Sequence, residues 1–340
     1  MNPATPVDAL QAVLDGRWRE VRERARDLAR DPRFAVTVAA DTEQQRADVL
    51  TKLRALAGPQ YSGLGFPSRY GGQDDVGGGV TAFEMLAFGD LSLLVKAGVQ
   101  WGLFGGAILH LGTQTHHERY LADIVSADLL GCFAMTETGH GSDIANIRTT
   151  ATYDAQSEQF VLHTPDDDAR KEYIGNAARD GRAAVVFAQL TTGGTLQGVH
   201  ALVVPIRDDR GTALPGVRIE DCGLKAGLNG VDNGRLWFDS VRVPRENLLD
   251  RYAEVAPDGT YTSEIENPTK RFFTMLGTLI QGRISVCGAS ISASKVALTI
   301  AVRRALERRQ FGPPGRPEAL LLDYRTHQRR LLPALATTYA

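Results

Sequence analysis

The stretch "CFAMTETGHGSD", Cys132 to Asp143, concentrates the groups best suited to chemistry. An apolar run, Cys132 to Met135, gives way at once to hydroxyl, acidic and glycine residues. Thr136, Thr138 and Ser142 offer hydroxyls, and Gly139 and Gly141 let a ligand approach the backbone closely. Successive N–H groups in such a turn form a concavity suited to an anion or to a polar ring rich in acceptors. A polar turn that merely caps a strand uses the same residue types, so composition leaves both readings open. His140 has the chemistry of a general base, yet a single histidine in a turn is more often structural.

The chain that must position this turn has 340 residues, enough for two or three domains and a sizeable core. Its hydrophobic content of 43% and charged content of 23% are ordinary for a globular protein. A formal net charge of -2 gives no global attraction to nucleic acid or to an anionic membrane. Cys132, Cys222 and Cys287 lie far apart, with neither metal-site spacing nor a disulfide framework. Apolar windows are broken by charge or glycine, so no membrane span is expected, and the N-terminus lacks a signal-peptide pattern. A cytoplasmic location is the resulting expectation.

Residues 1–130 read as a helical domain. Ala and Leu recur at helical spacing through Val7–Leu14, Trp18–Leu28 and Thr42–Leu56. Gly58 to Gly79 reads as a glycine-rich loop, with helix resuming at Val80–Leu91 and Leu103–Leu111. Thr115 and Glu118 have the spacing of a capping box for the next helix. Residues 131–250 change texture. Short β-rich runs follow one another ("RTTATYD", "QFVLH", "AAVVFAQL", "HALVVP", "VRIE", "RLWF", "VRV") with turn residues and no helical filler between them. A small antiparallel barrel or sandwich is expected. Residues 263–340 return to helix, interrupted by "GPPGRP", and the last run carries Leu331, Leu332 and Leu335 as an apolar face that wants a partner. The fold class is therefore α+β: a helical N-terminal domain, a central antiparallel β-barrel domain and an incomplete C-terminal helical domain.

With that order in place, "MTETGHGSD" resembles the flavin-binding turn of the acyl-CoA dehydrogenase and acyl-CoA oxidase superfamily, with the oxidase branch the closer likeness. "FGGAILHLGTQTHHERYL", "TTATYDAQSEQFVLHTP", "HALVVPIRD", "DNGRLWFDSVRVPRENLL" and "ALERRQFG" support it in the same order, and the likeness covers roughly residues 60 to 340. The resemblance implies FAD as cofactor. It implies that Met135 and Thr136 give donors to the pyrimidine edge of the flavin ring, and that Gly141 and Ser142 face the phosphates. Within "KEYIGNA", Tyr173 falls where an aromatic residue packs against the flavin, and Gly175 where a donor reaches the flavin N5. The hydroxyl common there in dehydrogenases is absent, which leaves the backbone N–H. Arg308 and Phe311 match a helix-end pair that contacts the FAD of a neighbouring subunit, where a guanidinium can pair with pyrophosphate oxygens. A solvated basic helix end is the plain alternative. Arg283 matches an arginine near the substrate, and if buried it needs a partner.

The implied reaction is α,β-dehydrogenation of an acyl thioester, on coenzyme A or an acyl carrier protein, to a trans-2-enoyl product. The family's general base is a Glu on a later helix, and no residue here occupies its place. Glu264, Glu266 and Glu307 qualify by type only, and Glu137 suits a structural or hydrogen-bonding role. The expectation is a subunit of an FAD-dependent enzyme whose base comes from a partner subunit or from a missing C-terminal part, in a homo- or hetero-oligomer. A catalytically inactive scaffold or regulatory paralogue is the alternative. Nucleic-acid binding through the Arg-rich 303–309 and 325–330 segments is disfavoured, because acidic residues balance them and no base-stacking pattern accompanies them. A nicotinamide site is disfavoured because no G-x-G-x-x-G follows a strand in a βαβ unit.

Overall fold

The computed structural model describes residues 6–36, 41–58 and 60–339. The ends of the expected domain ranges, residues 1–5 and 340, lie outside them. Helices, then strands, then helices follow one another along the chain, so the α+β order holds.

The N-terminal region contains α1 (Pro6–Asp15), α2 (Arg19–Arg30), α3 (Thr42–Leu56), α4 (Val76–Leu86), α5 (Leu91–Ala97), α6 (Gly106–Leu111) and α7 (Gln114–Val125). A π-helical stretch, Gly98–Gly105, joins α5 to α6, so residues 91–111 form one rod. Phe104, Ile108, Leu121 and Ile124 close the core beneath it with no exposed surface. Two local expectations change. The glycine-rich loop stops short, because Asp75 accepts from the Gly78 N–H at 2.8 Å and starts α4 at Val76. Its glycines serve close packing: a Cβ on Gly77 would stand 1.9 Å from the Trp18 ring. The cap of α7 is Thr113, not Thr115. His116 Nδ1 accepts from the Thr113 N–H at 3.1 Å, while its Nε2 donates to Glu246 O at 3.0 Å. That carbonyl pins the buried imidazole in the capping position, and Glu118 accepts from Gln114 instead.

The β region contains β1 (Gly131–Ala134), β2 (Thr150–Asp154), β3 (Gln159–His163), β4 (Lys171–Ile174), β5 (Ala183–Thr192), β6 (Thr195–Pro205), β7 (Val217–Asp221), β8 (Gly234–Phe238) and β9 (Val241–Pro244). The main sheet has the order β1-β5-β2-β3-β9, with β6 on the other edge of β5, and β4-β8-β7 form a second sheet. Most pairings are antiparallel, and short turns join β2 to β3 and β5 to β6. Two are parallel: β1 and β2 each run alongside β5. The long excursion through β3 and β4 supplies the crossover that parallel pairing needs. β5 sits at the centre and is buried on both faces, which explains its unbroken apolar run.

A short hairpin, β10 (Glu254–Val255) with β11 (Tyr261–Thr262), leads to α8 (Pro268–Leu276), α9 (Ile280–Glu307) and α10 (Arg325–Thr337). α9 lies against α4, with Gly288 beside Glu84. Along it Ile280, Ile284, Ile291 and Ile300 are more than half exposed, and the helical repeat puts the first three on one face. By length and composition alone, Leu91–Leu111 and Pro268–Glu307 could each cross a membrane, which the expectation from the sequence did not anticipate. The first is mostly buried within the protein, and the second carries the open face of α9.

Candidate functional site

The turn after β1 is held from below. Glu137 and Lys171 are fully buried and pair at 2.9 Å. Lys171 Nζ also donates to Met135 O at 3.1 Å and to Phe187 O at 2.8 Å. Glu137 further accepts from Arg148 N, Thr149 N and Thr149 Oγ1. Burial works against ionisation of Glu137, but Lys171 and these donors outweigh it and hold the carboxyl below its ordinary value. Burial pushes Lys171 down to about 8, with Glu137 opposing. A bridge to β4 fixes the turn laterally: Glu172 N donates to Thr136 O at 3.2 Å, Thr136 Oγ1 donates to Glu172 O at 3.3 Å, and Thr138 N donates to Arg170 O at 3.1 Å.

The rim is different. Gly141 and Ser142 are exposed, and among the described residues nothing accepts from their N–H groups. Two adjacent free amides on a rigid turn suit an oxyanion. Met135 is buried at the inner end and Thr136 half-buried beside it. His140 exchanges backbone hydrogen bonds with Glu137 at 3.1 Å, a turn-closing role.

β4 presents the second half of the site through a bulge. Register slips between Lys171 and Ile174 against β8, and Tyr173 takes a left-handed backbone conformation, φ 55°. Asn233 Nδ2 holds its carbonyl at 2.9 Å, and the ring stands 58% exposed. Bulges of this kind re-aim side chains beside functional sites. Gly175 follows, and a Cβ there would lie 2.6 Å from Val99 Cγ2. The missing side chain at position 175 therefore has a steric cause: the rod comes too close.

Val99 also lines a cavity of about 790 Å³ between α4, the 91–111 rod and α9. Phe83, Leu86, Leu94, Leu103 and Val286 give it an apolar wall. π-helical turns often mark functional sites, and this one forms a side of the cavity. Arg283 lines the same cavity and is exposed, so the buried-partner requirement does not arise. Arg308 and Phe311 sit elsewhere: the helical rise separates Arg283 from Arg308 by roughly 37 Å. Their loop is exposed and makes local contacts, with Leu321 N donating to Arg308 O and Ala319 N to Phe311 O. Pairing thus brings Met135, Thr136, Tyr173 and Gly175 together, with Gly141 and Ser142 on the rim, and leaves Arg308 and Phe311 apart.

Sequence reasoning missed Lys171 and also Lys96 and Gln100, which are both fully buried on the rod. A lone lysine inside "LSLLVKAGVQWG" was the available signal, since an apolar helix tolerates a buried charge only with partners.

The helical layer, the β region bearing the donor-rimmed turn and the long helix beside the apolar cavity coincide with three regions that match models of the acyl-CoA dehydrogenase and oxidase superfamily. The profile of the acyl-CoA dehydrogenase N-terminal domain matches residues 17–128, and that of its middle domain residues 132–241. The chain belongs to that superfamily, and within it to the oxidase branch: residues 276–340 match the acyl-CoA oxidase C-alpha1 domain. It is 43% identical to peroxisomal acyl-coenzyme A oxidase 2 of Arabidopsis thaliana, over 98% of this chain and 49% of that protein. It is 36% identical to human peroxisomal acyl-coenzyme A oxidase 3, over 99% of this chain and 50% of the relative. The crystal structure of acyl-CoA oxidase 1 from Yarrowia lipolytica superposes with a TM-score of 0.81 at 35% identity, covering 94% of this chain and 45% of that one. A solved acyl-CoA oxidase-1 from Caenorhabditis elegans is described as complexed with FAD and ATP, at TM-score 0.76 and 29% identity, covering 97% of this chain and 48% of that one. The chain spans about half the length of the relatives it matches. The expectation of a cytoplasmic location is overturned, because plant and human relatives are named peroxisomal. Composition could not reveal this, since organelle addresses are short signals read by receptors.

Proposed function

We propose that this chain forms the flavin- and acyl-binding part of an FAD-dependent acyl-CoA oxidase that yields a trans-2-enoyl thioester. The observation that carries the proposal is the junction of cavity and turn. Val99 walls the apolar cavity and packs on Gly175, at the foot of the strand paired to the donor-rimmed turn. Met135 and Thr136 would serve the ring edge, the free amides of Gly141 and Ser142 the pyrophosphate, Tyr173 a ring face and the Gly175 N–H the N5 atom. When bound, FAD would accept the β-hydride of the acyl chain. The cavity's apolar wall favours a fatty acyl group, and Arg283 at its edge adds positive charge toward the thioester side.

The general base is proposed to come from a partner subunit or a further part of a longer protein. The uncovered apolar side of α9 supports additional helices there. Exposed Arg308 and Phe311 are proposed to reach the FAD of a neighbouring subunit. The test is a visible spectrum and an acyl-CoA-dependent peroxide assay. Each is run on the chain alone and on the chain co-expressed with the part of its longer relatives that it does not span. A flavin spectrum with peroxide release in the assembled form is expected. An assembled protein that neither holds flavin nor binds acyl-CoA would sink the proposal.

A further inference from the structure

Lys96 is fully buried at the end of α5, just before the π-helical wall of the cavity. Its Nζ lies 2.7 Å from Asp180 Oδ2, donates to Asn176 Oδ1 at 2.9 Å, and pairs with Asp232. Asp232 also accepts from the amides of Arg179 at 3.1 Å and Asp180 at 2.9 Å. Asn176 Nδ2 donates to Gly131 O at 2.9 Å, at the first residue of β1. Gln100, one turn along the rod, accepts from the Gly131 N–H at 2.9 Å and donates to Leu129 O at 2.8 Å.

The rod therefore has two working sides. Val95, Gly98, Val99 and Gly102 face the cavity. Lys96 and Gln100 grip the start of β1 and the segment leaving β4, the two strands that carry the flavin turn and the bulge. That segment is strained: Tyr173 and Asn176 have φ of 55° and 65°. Such backbone persists only where its surroundings over-determine it. Lys52 offers a contrast. It pairs with Asp90 at 2.9 Å, is similarly buried, and donates to Ala35 O without touching either strand.

We propose that Lys96 is a positioning residue: through Asn176, Asp180 and Asp232 it sets the Tyr173–Asn176 backbone against the cavity wall, and so fixes the flavin ring relative to the acyl chain. This rests on the function proposed above.

The test compares Lys96→Met with Lys52→Met, two losses of a buried ammonium, in the full chain assembled as it binds FAD. Lys96→Met is expected to speed amide hydrogen exchange selectively across 131–136 and 173–177. It should also shift the bound flavin's absorption bands and weaken FAD binding on the order of tenfold, the scale of one lost charge-assisted contact. Lys52→Met should leave those amides and bands as in the unmodified protein. A second variant, Asn176→Gly, suits the left-handed backbone and keeps the Lys96 ion pairs. It should reproduce the selective exchange and the spectral shift even if Lys96→Met fails to fold. Equal effects from Lys96→Met and Lys52→Met, or an Asn176→Gly protein with unchanged exchange and spectrum, overturn the proposal. An unmodified assembly that neither holds flavin nor binds acyl-CoA would refute the function, while the exchange comparison would still decide whether Lys96 sets this backbone.

Discussion

Lys171 Nζ sits 2.9 Å from Glu137 Oε1, with neither side chain reaching solvent. The pair joins β4 to the turn after β1 from beneath. Removing one partner strands the other charge in the interior. Lys171→Met is therefore expected to destabilise the protein by about 3–5 kcal/mol. The double variant Lys171→Met/Glu137→Gln should recover part of that loss, because no unpaired ion remains. Urea unfolding of the three proteins checks this, and equal stability of the single and double variants would show that the ionic pairing is not what holds the turn.

Gly175 and Val99 form a steric pair between the end of β4 and the 91–111 rod. A methyl at position 175 would approach Val99 Cγ2 at 2.6 Å, closer than real contacts allow. Gly175→Ala should cost about 1–3 kcal/mol through overpacking. Adding Val99→Ala should return a measurable part of it, with a coupling of about 0.5 kcal/mol or more in the cycle. Thermal unfolding of the four proteins gives that number, and strict additivity would mean that the residues do not press on each other.

How far these relationships could be read in advance depends on their range. Strand existence was legible because alternation is local: Thr150–Asp154 and Gln159–His163 appear where the pattern placed them. The turn from Met135 to Ser142 was legible by residue type and by resemblance. The partner of Glu137 was not, since Lys171 is 34 residues away and only the fold brings them together. Nor was the cap at Thr113, which depends on Glu246 O holding His116 from the β region. The glycines before Val80 looked like a loop because their purpose, the approach of Trp18, is tertiary.

His200 gives the fold a pH dependence. Its Nδ1 donates to Gly198 O at 3.0 Å, so Nε2 accepts from the Tyr261 hydroxyl at 2.9 Å, and the ring is neutral. Burial pushes its pKa down from 6.5 to about 4, with a nearby Arg271 adding to the fall. Between these values the unfolded chain binds a proton that the folded chain refuses. Stability contributed by this site is thus fully present above the unfolded value and falls as pH drops from 6.5 toward 4, by on the order of 3 kcal/mol in all. His200→Gln should flatten that part of the stability profile while lowering stability at pH 8. Denaturant midpoints measured from pH 8 to pH 4.5 provide the check, and parallel profiles would contradict the assignment.

Ser142 and Gly141 offer their N–H groups to no acceptor among the described residues. Both are exposed, so a change there leaves the core alone. Ser142→Pro deletes one amide donor, and thermal unfolding of the variant reports any backbone cost of the proline ring separately from its effect on binding. If that amide bonds a pyrophosphate oxygen, its loss should weaken FAD binding by about 1.5–3 kcal/mol, the range for hydrogen bonds to charged groups. Ser142→Ala keeps the amide and removes only the hydroxyl, so its affinity should stay much closer to that of the unmodified protein. Titration of the apoprotein with FAD, followed by flavin fluorescence, separates the two variants. Matching losses would assign the contact to the hydroxyl. Unchanged affinity in Ser142→Pro would remove the phosphate from this rim, because an amide that holds an anion cannot be deleted without effect.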